Sequence, residues 1–199
     1  MKKYWFLSAV LIGFVGILSS CHLTGIHGNG KIVSQERPAK NFNNVILEGV
    51  GNVNIYYAEN YKVRVTTDSN IQEYVTIKVI GDNLYIDEKS KGGVNPSKLT
   101  IDIYTPGLGN IILKGVGNIK IVNGGSSDIN LNLSGVGNID ARNYEAENVV
   151  VTLSGTGDIK TWVTKSLTGK LSGIGNIMYK GNPSINNVNR TGIGNVKKL

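Results

Sequence analysis

Apolar residues along this chain recur two apart in short runs, with polar residues between them. Leu47, Leu113, Leu133, Leu153 and Leu171 each stand two places before a glycine, and Val45, Ile111, Leu131, Val151 and Val188 stand four places before one. The positions between and beside them are mostly polar: Asn132, Ser134, Thr152, Ser154, Lys170 and Ser172. A period of two is the signature of a strand with one buried face. Beyond each glycine pair a second run starts with Ile119, Ile139, Ile159, Ile177 or Val196. The predicted unit is strand, corner, strand.

The corner is a recurring Gly-x-Gly-Asn/Asp followed by Ile or Val. Its glycines and amides are Gly49, Gly51 and Asn52; Gly115, Gly117 and Asn118; Gly135, Gly137 and Asn138; Gly155, Gly157 and Asp158; Gly173, Gly175 and Asn176; and Gly192, Gly194 and Asn195. The intervals between leading glycines are 66, 20, 20, 18 and 19 residues. Helices do not carry this glycine load, and hairpins need no constant period. A β-solenoid does: ~20 residues at ~3.3 Å each make a coil of roughly 66 Å, and coils stacked in parallel ~4.8 Å apart place equivalent residues in ladders. Glycine reaches positive φ at the turn, while Asn tolerates the left-handed region and its amides can stack rung upon rung. Lys120, Asp140, Lys160, Met178 and Lys197 fall in one column, read as a surface ladder of alternating charge.

The amino-terminal stretch up to Pro106 holds one corner and less regular strands, with loops expected at Lys89 to Pro96 and Pro106 to Asn110. It is expected to continue the sheet in wider coils and to cap one end. At the other end Arg190 occupies the column that is Leu elsewhere, and with Lys197 and Lys198 it is expected to protect the last rung from edge pairing.

Composition accounts for little beyond this pattern. Of 199 residues 26 are Gly, and twelve of these sit in the six corners. Residues 1–20 combine Lys2 and Lys3, an apolar run from Tyr4 to Leu18 and two serines, which reads as a secretory signal. Without Lys2 and Lys3 the chain has 19 basic against 14 acidic residues, a dispersed +5 that points to no nucleic-acid partner. Leu18-Ser19-Ser20-Cys21 resembles the lipobox of bacterial lipoproteins, in which the chain is cut before the cysteine and the thiol carries lipid. Cys21 is the only cysteine, so it is the expected lipidation site. The domain reading is then a lipoprotein signal peptide over 1–20, a flexible tether over 21–30, an amino-terminal β part over 31–109 and the regular repeat over 110–199.

Chemistry is sparse. Both histidines, His22 and His27, fall in the tether, so nucleophilic triads lack a base. Asp102, Asp128, Asp140 and Asp158 occupy different columns, which disfavours an acid/base pair. No metal, cofactor or catalytic residue is expected. Tyr56, Tyr57, Tyr61, Tyr85, Tyr104, Tyr144, Trp162 and Tyr179 are the candidates for a contacting face.

Several segments carry a family likeness: Phe42-Asn43-Asn44-Val45, Val63-Arg64-Val65-Thr66-Thr67-Asp68, Gly81-Asp82-Asn83-Leu84-Tyr85-Ile86, Ile101-Asp102-Ile103-Tyr104-Thr105-Pro106 and the Ser-Gly-x-Gly-Asn-Ile repeats. Together with the lipobox they resemble the head GIN domain family, bacterial envelope proteins grouped as auto-transporter adhesins. The resemblance spans most of 41–199. It implies a right-handed single-stranded parallel β-helix and an exported location, with no catalytic or binding residues to transfer. The expected function is a non-enzymatic, lipid-anchored cell-envelope β-solenoid, an adhesin or envelope scaffold, placed on the outer membrane. The membrane is its partner through the lipid, with a surface protein, a glycan or a second copy as further partners. A carbohydrate-binding or carbohydrate-active surface protein is the alternative.

Overall fold

Period-two alternation and corner glycines produce strands throughout. The computed structural model describes residues 25–90 and 92–199. In chain order the strands are β1 (Ile26–His27), β2 (Ile32–Arg37), β3 (Asn44–Leu47), β4 (Val50–Tyr57), β5 (Lys62–Asp68), β6 (Val75–Ile80), β7 (Asn83–Glu88), β8 (Val94–Asn95) and β9 (Leu99–Thr105). They continue with β10 (Asn110–Leu113), β11 (Val116–Ile121), β12 (Gly125–Leu133), β13 (Val136–Leu153), β14 (Ile159–Leu171), β15 (Ile177–Lys180), β16 (Ile185–Arg190) and β17 (Val196–Lys198). Among the described residues there is no α-helix, and the chain is all-β.

Two ladders of strands run side by side. Before the corners, β6, β7, β3, β10, β12, β13, β14 and β16 are neighbours in that order. After the corners the order is β2, β5, β9, β4, β11, β13, β14, β15 and β17. The long strands β13 and β14 belong to both, so the ladders form one fifteen-stranded sheet that wraps nearly closed, barrel-like, around its core.

Register follows the sequence columns. Leu47, Leu113, Leu133, Leu153 and Leu171 are successive partners and all fully buried, as are Ile119, Ile139, Ile159 and Ile177. A one-residue slip would turn a whole rung's apolar set outward, so burial itself enforces the register. The column of Val45, Ile111, Leu131, Val151 and Val188 is interrupted by Gly169, between Val151 and Val188. A Cβ on Gly169 would lie 1.8 Å from the Val151 carbonyl oxygen, so the rungs close in there and leave no room for a side chain.

The sheet is mixed, which corrects the expectation of a parallel solenoid throughout. Pairing is parallel wherever corners set the period, but β2 with β5, β5 with β9, and β6 with β7 are antiparallel. The reason lies in the 66-residue gap between the first two corners. In that stretch a short turn folds β6 back onto β7 and β5 inserts between β2 and β9, while β7 and β9 return in parallel beside β3 and β4. The Gly81-Asp82 link between β6 and β7, with Gly81 at φ 62°, has the glycine-first form of a tight hairpin.

Residues 25–30 differ from the expected tether. β1 pairs in parallel with β8, and Asn70 Nδ2 donates to the His27 carbonyl at 2.8 Å. Asp68, fully buried, accepts from the Gly30 N–H at 2.6 Å, the Ser97 N–H at 2.8 Å and the Ser97 hydroxyl at 2.6 Å. One carboxylate thus binds the chain entry to two other segments. A Cβ on Gly28 would come within 2.4 Å of that carboxylate, so glycine is needed for the approach. Glycine and asparagine, which suggest a loose linker, here permit close docking.

Leu133→Ala in the middle of its column should lower unfolding free energy by about 2–5 kcal/mol in chemical denaturation, since neither flanking Leu can move in to fill the hole. The Ser97 hydroxyl, with the N–H groups of Gly30, Ser97 and Lys98, holds the Asp68 carboxyl below its ordinary range despite its burial. A depressed folded pKa contributes stability above the usual carboxylate range that is lost as pH falls through the folded value. Hydrogen exchange at Ile26 to Gly30 should therefore accelerate in acid relative to β13, and Asp68→Asn should accelerate it already at neutral pH. Unchanged protection in the variant would remove Asp68 as the clamp.

Candidate functional site

The six corners stack into a continuous edge. Val50, Val116, Val136, Thr156, Ile174 and Ile193, the middle residues of Gly-x-Gly, are successive parallel partners from one rung to the next. Their backbones are locked by bonds such as Val116 N–H to the Gly49 carbonyl at 3.0 Å and Ile193 N–H to the Gly173 carbonyl at 2.9 Å. At the second glycine φ is positive, 148° at Gly117 and 134° at Gly137. Conformation is not the only demand: a Cβ on Gly137 would lie 1.6 Å from the Gly117 carbonyl oxygen, and one on Gly115 would lie 1.9 Å from the Gly49 carbonyl oxygen. Both glycines are there so that neighbouring rungs can touch backbone to backbone.

The amides following the glycines form a ladder. Asn118 Nδ2 donates to Asn52 Oδ1 and Asn138 Nδ2 to Asn118 Oδ1, both at 2.9 Å. Asp158 continues it as an acceptor: its N–H donates to Asn138 Oδ1 at 3.0 Å, and its Oδ1 receives the Asn176 N–H and Nδ2 at 2.8 and 3.0 Å. Asn195 N–H then donates to Asn176 Oδ1 at 3.1 Å. None of these asparagines is left-handed, contrary to one expectation; Asn41 is the non-glycine with positive φ among the described residues. Their contribution is side-chain stacking together with acceptance of the next rung's backbone N–H at Asp158, Asn176 and Asn195.

Other candidates are dispersed. Lys120, Asp140, Lys160, Met178 and Lys197 do lie in register. Asp140, however, is bound within its own strand by Arg142, Nη2 to Oδ2 at 2.6 Å, and this guanidinium holds the Asp140 carboxyl below its usual range. Tyr144 is buried, and Tyr61 packs on buried Phe42 with centroids 5.0 Å apart. Tyr56 stacks on Tyr104 at 4.8 Å, while Trp162 lies under the Lys180 ammonium at 3.7 Å. β11 and β13 separate these two pairs, so the aromatics make no common stripe. Cys21 and His22 lie outside the described residues.

Two features escaped the sequence reading. A second amide ladder joins Asn83, Asn44, Asn110 and Asn130 through Nδ2 to Oδ1 bonds of 2.7–2.9 Å. More consequentially, the corner edge is an exposed apolar row: Val116 is 53% exposed, Val136 52%, Ile174 54% and Ile193 71%, with Thr156 exposed and Val50 partly covered. The sign was present in the middle residue of Gly-x-Gly, aliphatic in five copies of six.

Stacked rungs with edges built from backbone, amides and aliphatic side chains define an all-β repeat protein that offers surfaces. The chain belongs to the family described as "Putative auto-transporter adhesin, head GIN domain", whose model matches residues 41–131 and, overlapping, 110–183. Its fold is similar to a crystal structure described as a putative adhesin from Bacteroides fragilis NCTC 9343, at 24% identity and TM-score 0.60 over 88% of this chain and 100% of that one. It is also similar to one described as a putative lipid binding protein from Parabacteroides distasonis ATCC 8503, at 18% identity and TM-score 0.50 over 87% and 99%. Among curated proteins nothing matches this chain.

Gly137→Ala should destabilise the protein by more than Gly30→Ala, although both glycines have positive φ. Gly30 has open space where a Cβ would stand, so its substitution costs only the left-handed strain, about 1–2 kcal/mol, whereas at Gly137 two rungs must separate as well. Equal losses in thermal unfolding would show that turn conformation, not rung contact, requires the corner glycines.

Proposed function

We propose that this is a non-enzymatic protein of the bacterial cell envelope, exported, anchored by lipid at Cys21 and acting as an adhesin or envelope scaffold. In this reading the parallel rungs coil as a right-handed single-stranded β-helix, and the outer faces of the two ladders are what it presents. Membership of an adhesin-like family supports an exported or surface location. The lipobox-like Leu18 to Cys21 and the preceding apolar run support the anchor.

The observation that carries the non-enzymatic reading is how the carboxylates are engaged. Asp68 is enclosed by Ser97 and Gly30, Asp102 accepts from Asn54 Nδ2 at 2.9 Å, Asp158 is a step in the corner ladder and Asp140 is held by Arg142. Glu36 pairs with Lys62 at 2.5 Å, Glu48 with Lys114 at 2.9 Å and Glu147 with Lys165 at 2.7 Å. A concavity of about 680 Å³ lined by Glu36, Arg37, Tyr61 and Lys62 has its acid already paired with a base at the rim. General acid/base chemistry needs a carboxyl poised for proton transfer to a substrate, and these are tied to their own framework.

Metabolic labelling with palmitate should mark the wild-type protein, and Cys21→Ser should abolish the label and release the protein from membranes. Protease shaving of intact cells should remove it from the wild type. Protection from shaving would overturn the adhesin reading, and labelling that survives Cys21→Ser would overturn the anchor.

A further inference from the structure

The apolar corner row and the place where the chain enters the fold lie together. Gly25 and His27 line one depression with Val50, Glu88, Val94 and Asn95. Val50 is the first residue of the row. The strand holding His27 is fixed there by its pairing to β8 and by Asn70. Cys21 precedes Gly25 by four residues, which span at most about 14 Å when fully extended. A lipid carried on Cys21 would therefore hold the membrane within that distance of Gly25, which shares its depression with Val50 at the near end of the row.

From these positions we infer that the corner edge rests on the lipid surface, with Val116, Val136, Ile174 and Ile193 entering the headgroup region. The inference builds on lipid anchoring at Cys21 and adds an orientation to it. The row of six rungs extends about 24 Å at ~4.8 Å per rung, so it lies along the membrane as a line of contact. Beside it stand Ser134, Ser154, Ser172 and Thr191 on one side, in the column that Glu48 and Lys114 begin, and the amide ladder with Asp158 on the other; apart from those three charged residues the flanking groups are neutral and hydrogen-bond to lipid headgroups. The acids near the row are bound: Glu48 to Lys114, Glu88 to the Val50 N–H at 2.9 Å, and Asp158 to Asn176. Arg190, Lys197 and Lys198 lie on the two last strands, at the far end from the anchor, where they can meet lipid phosphates.

A second copy of the chain fits this edge less well. A single file of side chains offers much less than the ~800 Å² per partner of a stable protein interface. Shallow insertion of ~5–10 Å suits such a file, because an acyl boundary adapts to a ridge without needing a complementary groove. The lipid anchor supplies the remaining attachment, since one shallow apolar contact beside an acyl chain acts as a second signal.

The test uses the full lipidated chain, expressed with Trp162→Phe to silence the internal tryptophan and reconstituted in phosphatidylcholine vesicles containing anionic lipid brominated near the headgroup. One new tryptophan is introduced at a time: Val136→Trp or Ile174→Trp in the row, and Val150→Trp on the outer face of β13 as the control. Both row positions are exposed, so neither substitution disturbs the core. The expected result is that bromine quenches roughly half or more of the emission of each row tryptophan and leaves the control nearly unchanged, as insertion to headgroup depth requires. Vesicle-bound chain whose row tryptophans are no more quenched than the control overturns the orientation and leaves the anchor standing. Row emission that shifts with protein concentration, unquenched by bromolipid, assigns the edge to a second copy and also overturns it. Chain that fails to acquire lipid at Cys21, seen as an unchanged mass of the mature protein, overturns the anchor and with it this inference.

Discussion

How closely one corner can approach the next decides whether this sheet can exist. Parallel strands lie about 4.8 Å apart, and at a corner the backbone turns so that the Cα of one rung points its substituent at the carbonyl of the rung before. At Gly117, Gly137, Gly157, Gly175 and Gly194 that carbonyl oxygen occupies the place a Cβ would take. With glycine there, the rungs close up enough for the middle N–H of each corner to reach the carbonyl of the first glycine one rung before, as from Thr156 to Gly135 at 2.9 Å, and the aliphatic columns on either side come into contact. A larger residue would open the spacing at one point and loosen the ladders on both sides of it. The amides lock this spacing from outside, and the buried Leu and Ile columns from inside.

That constraint also explains where the regular pattern stops. Between Gly51 and Gly115 there is no Gly-x-Gly corner: β5 and β6 pair antiparallel, while β7 and β9 return in parallel beside β3 and β4 before the regular stack continues at β10 and β11. These strands cover the amino-terminal ends of both ladders, with β2 and β6 outermost. At the opposite end Arg190 stands opposite Leu171 and donates through Nη1 to the Gly194 carbonyl at 2.8 Å, closing the last corner with a charged side chain where a leucine would be exposed. Each end of the stack is thus finished by a different device, one of chain folding and one of side-chain charge, against the risk that bare parallel edges recruit other strands.

A stack of this kind has consequences for function. Residues in one column present the same group at every rung, so the natural products of the repeat are rows: an amide row, a row of aliphatic tips, a mixed-charge row. Rows suit contact with extended partners, a membrane or a flat protein surface, better than enclosure of a small substrate. The carboxylates that could have made a reactive cluster are distributed by the same periodicity into separate structural bonds. The entry segment, clamped by Asp68, is part of the fold from Ile26 onward.

The columns and corners were legible in the sequence because both are local: alternation assigns each residue to a face, and a glycine pair at constant period marks where every rung must turn. Leu133 could be placed in the core and Gly137 at a corner without knowing what lay above or below them. The antiparallel pairing of β5, β6 and β9 was not legible, since it depends on which distant strands were left unpaired. Nor was the docking of residues 25–30, where Gly28 and Asn29 read as linker and the buried carboxylate of Asp68 with Ser69, Asn70 and Asn95, distant in sequence, makes them part of the fold. The sequence by itself determined the repeating unit, its register and its glycine corners, because those follow from backbone geometry and period alone. The tertiary structure decided which rows face outward together and that the chain enters beside the aliphatic one, because those are matters of how separate rungs and segments meet in space.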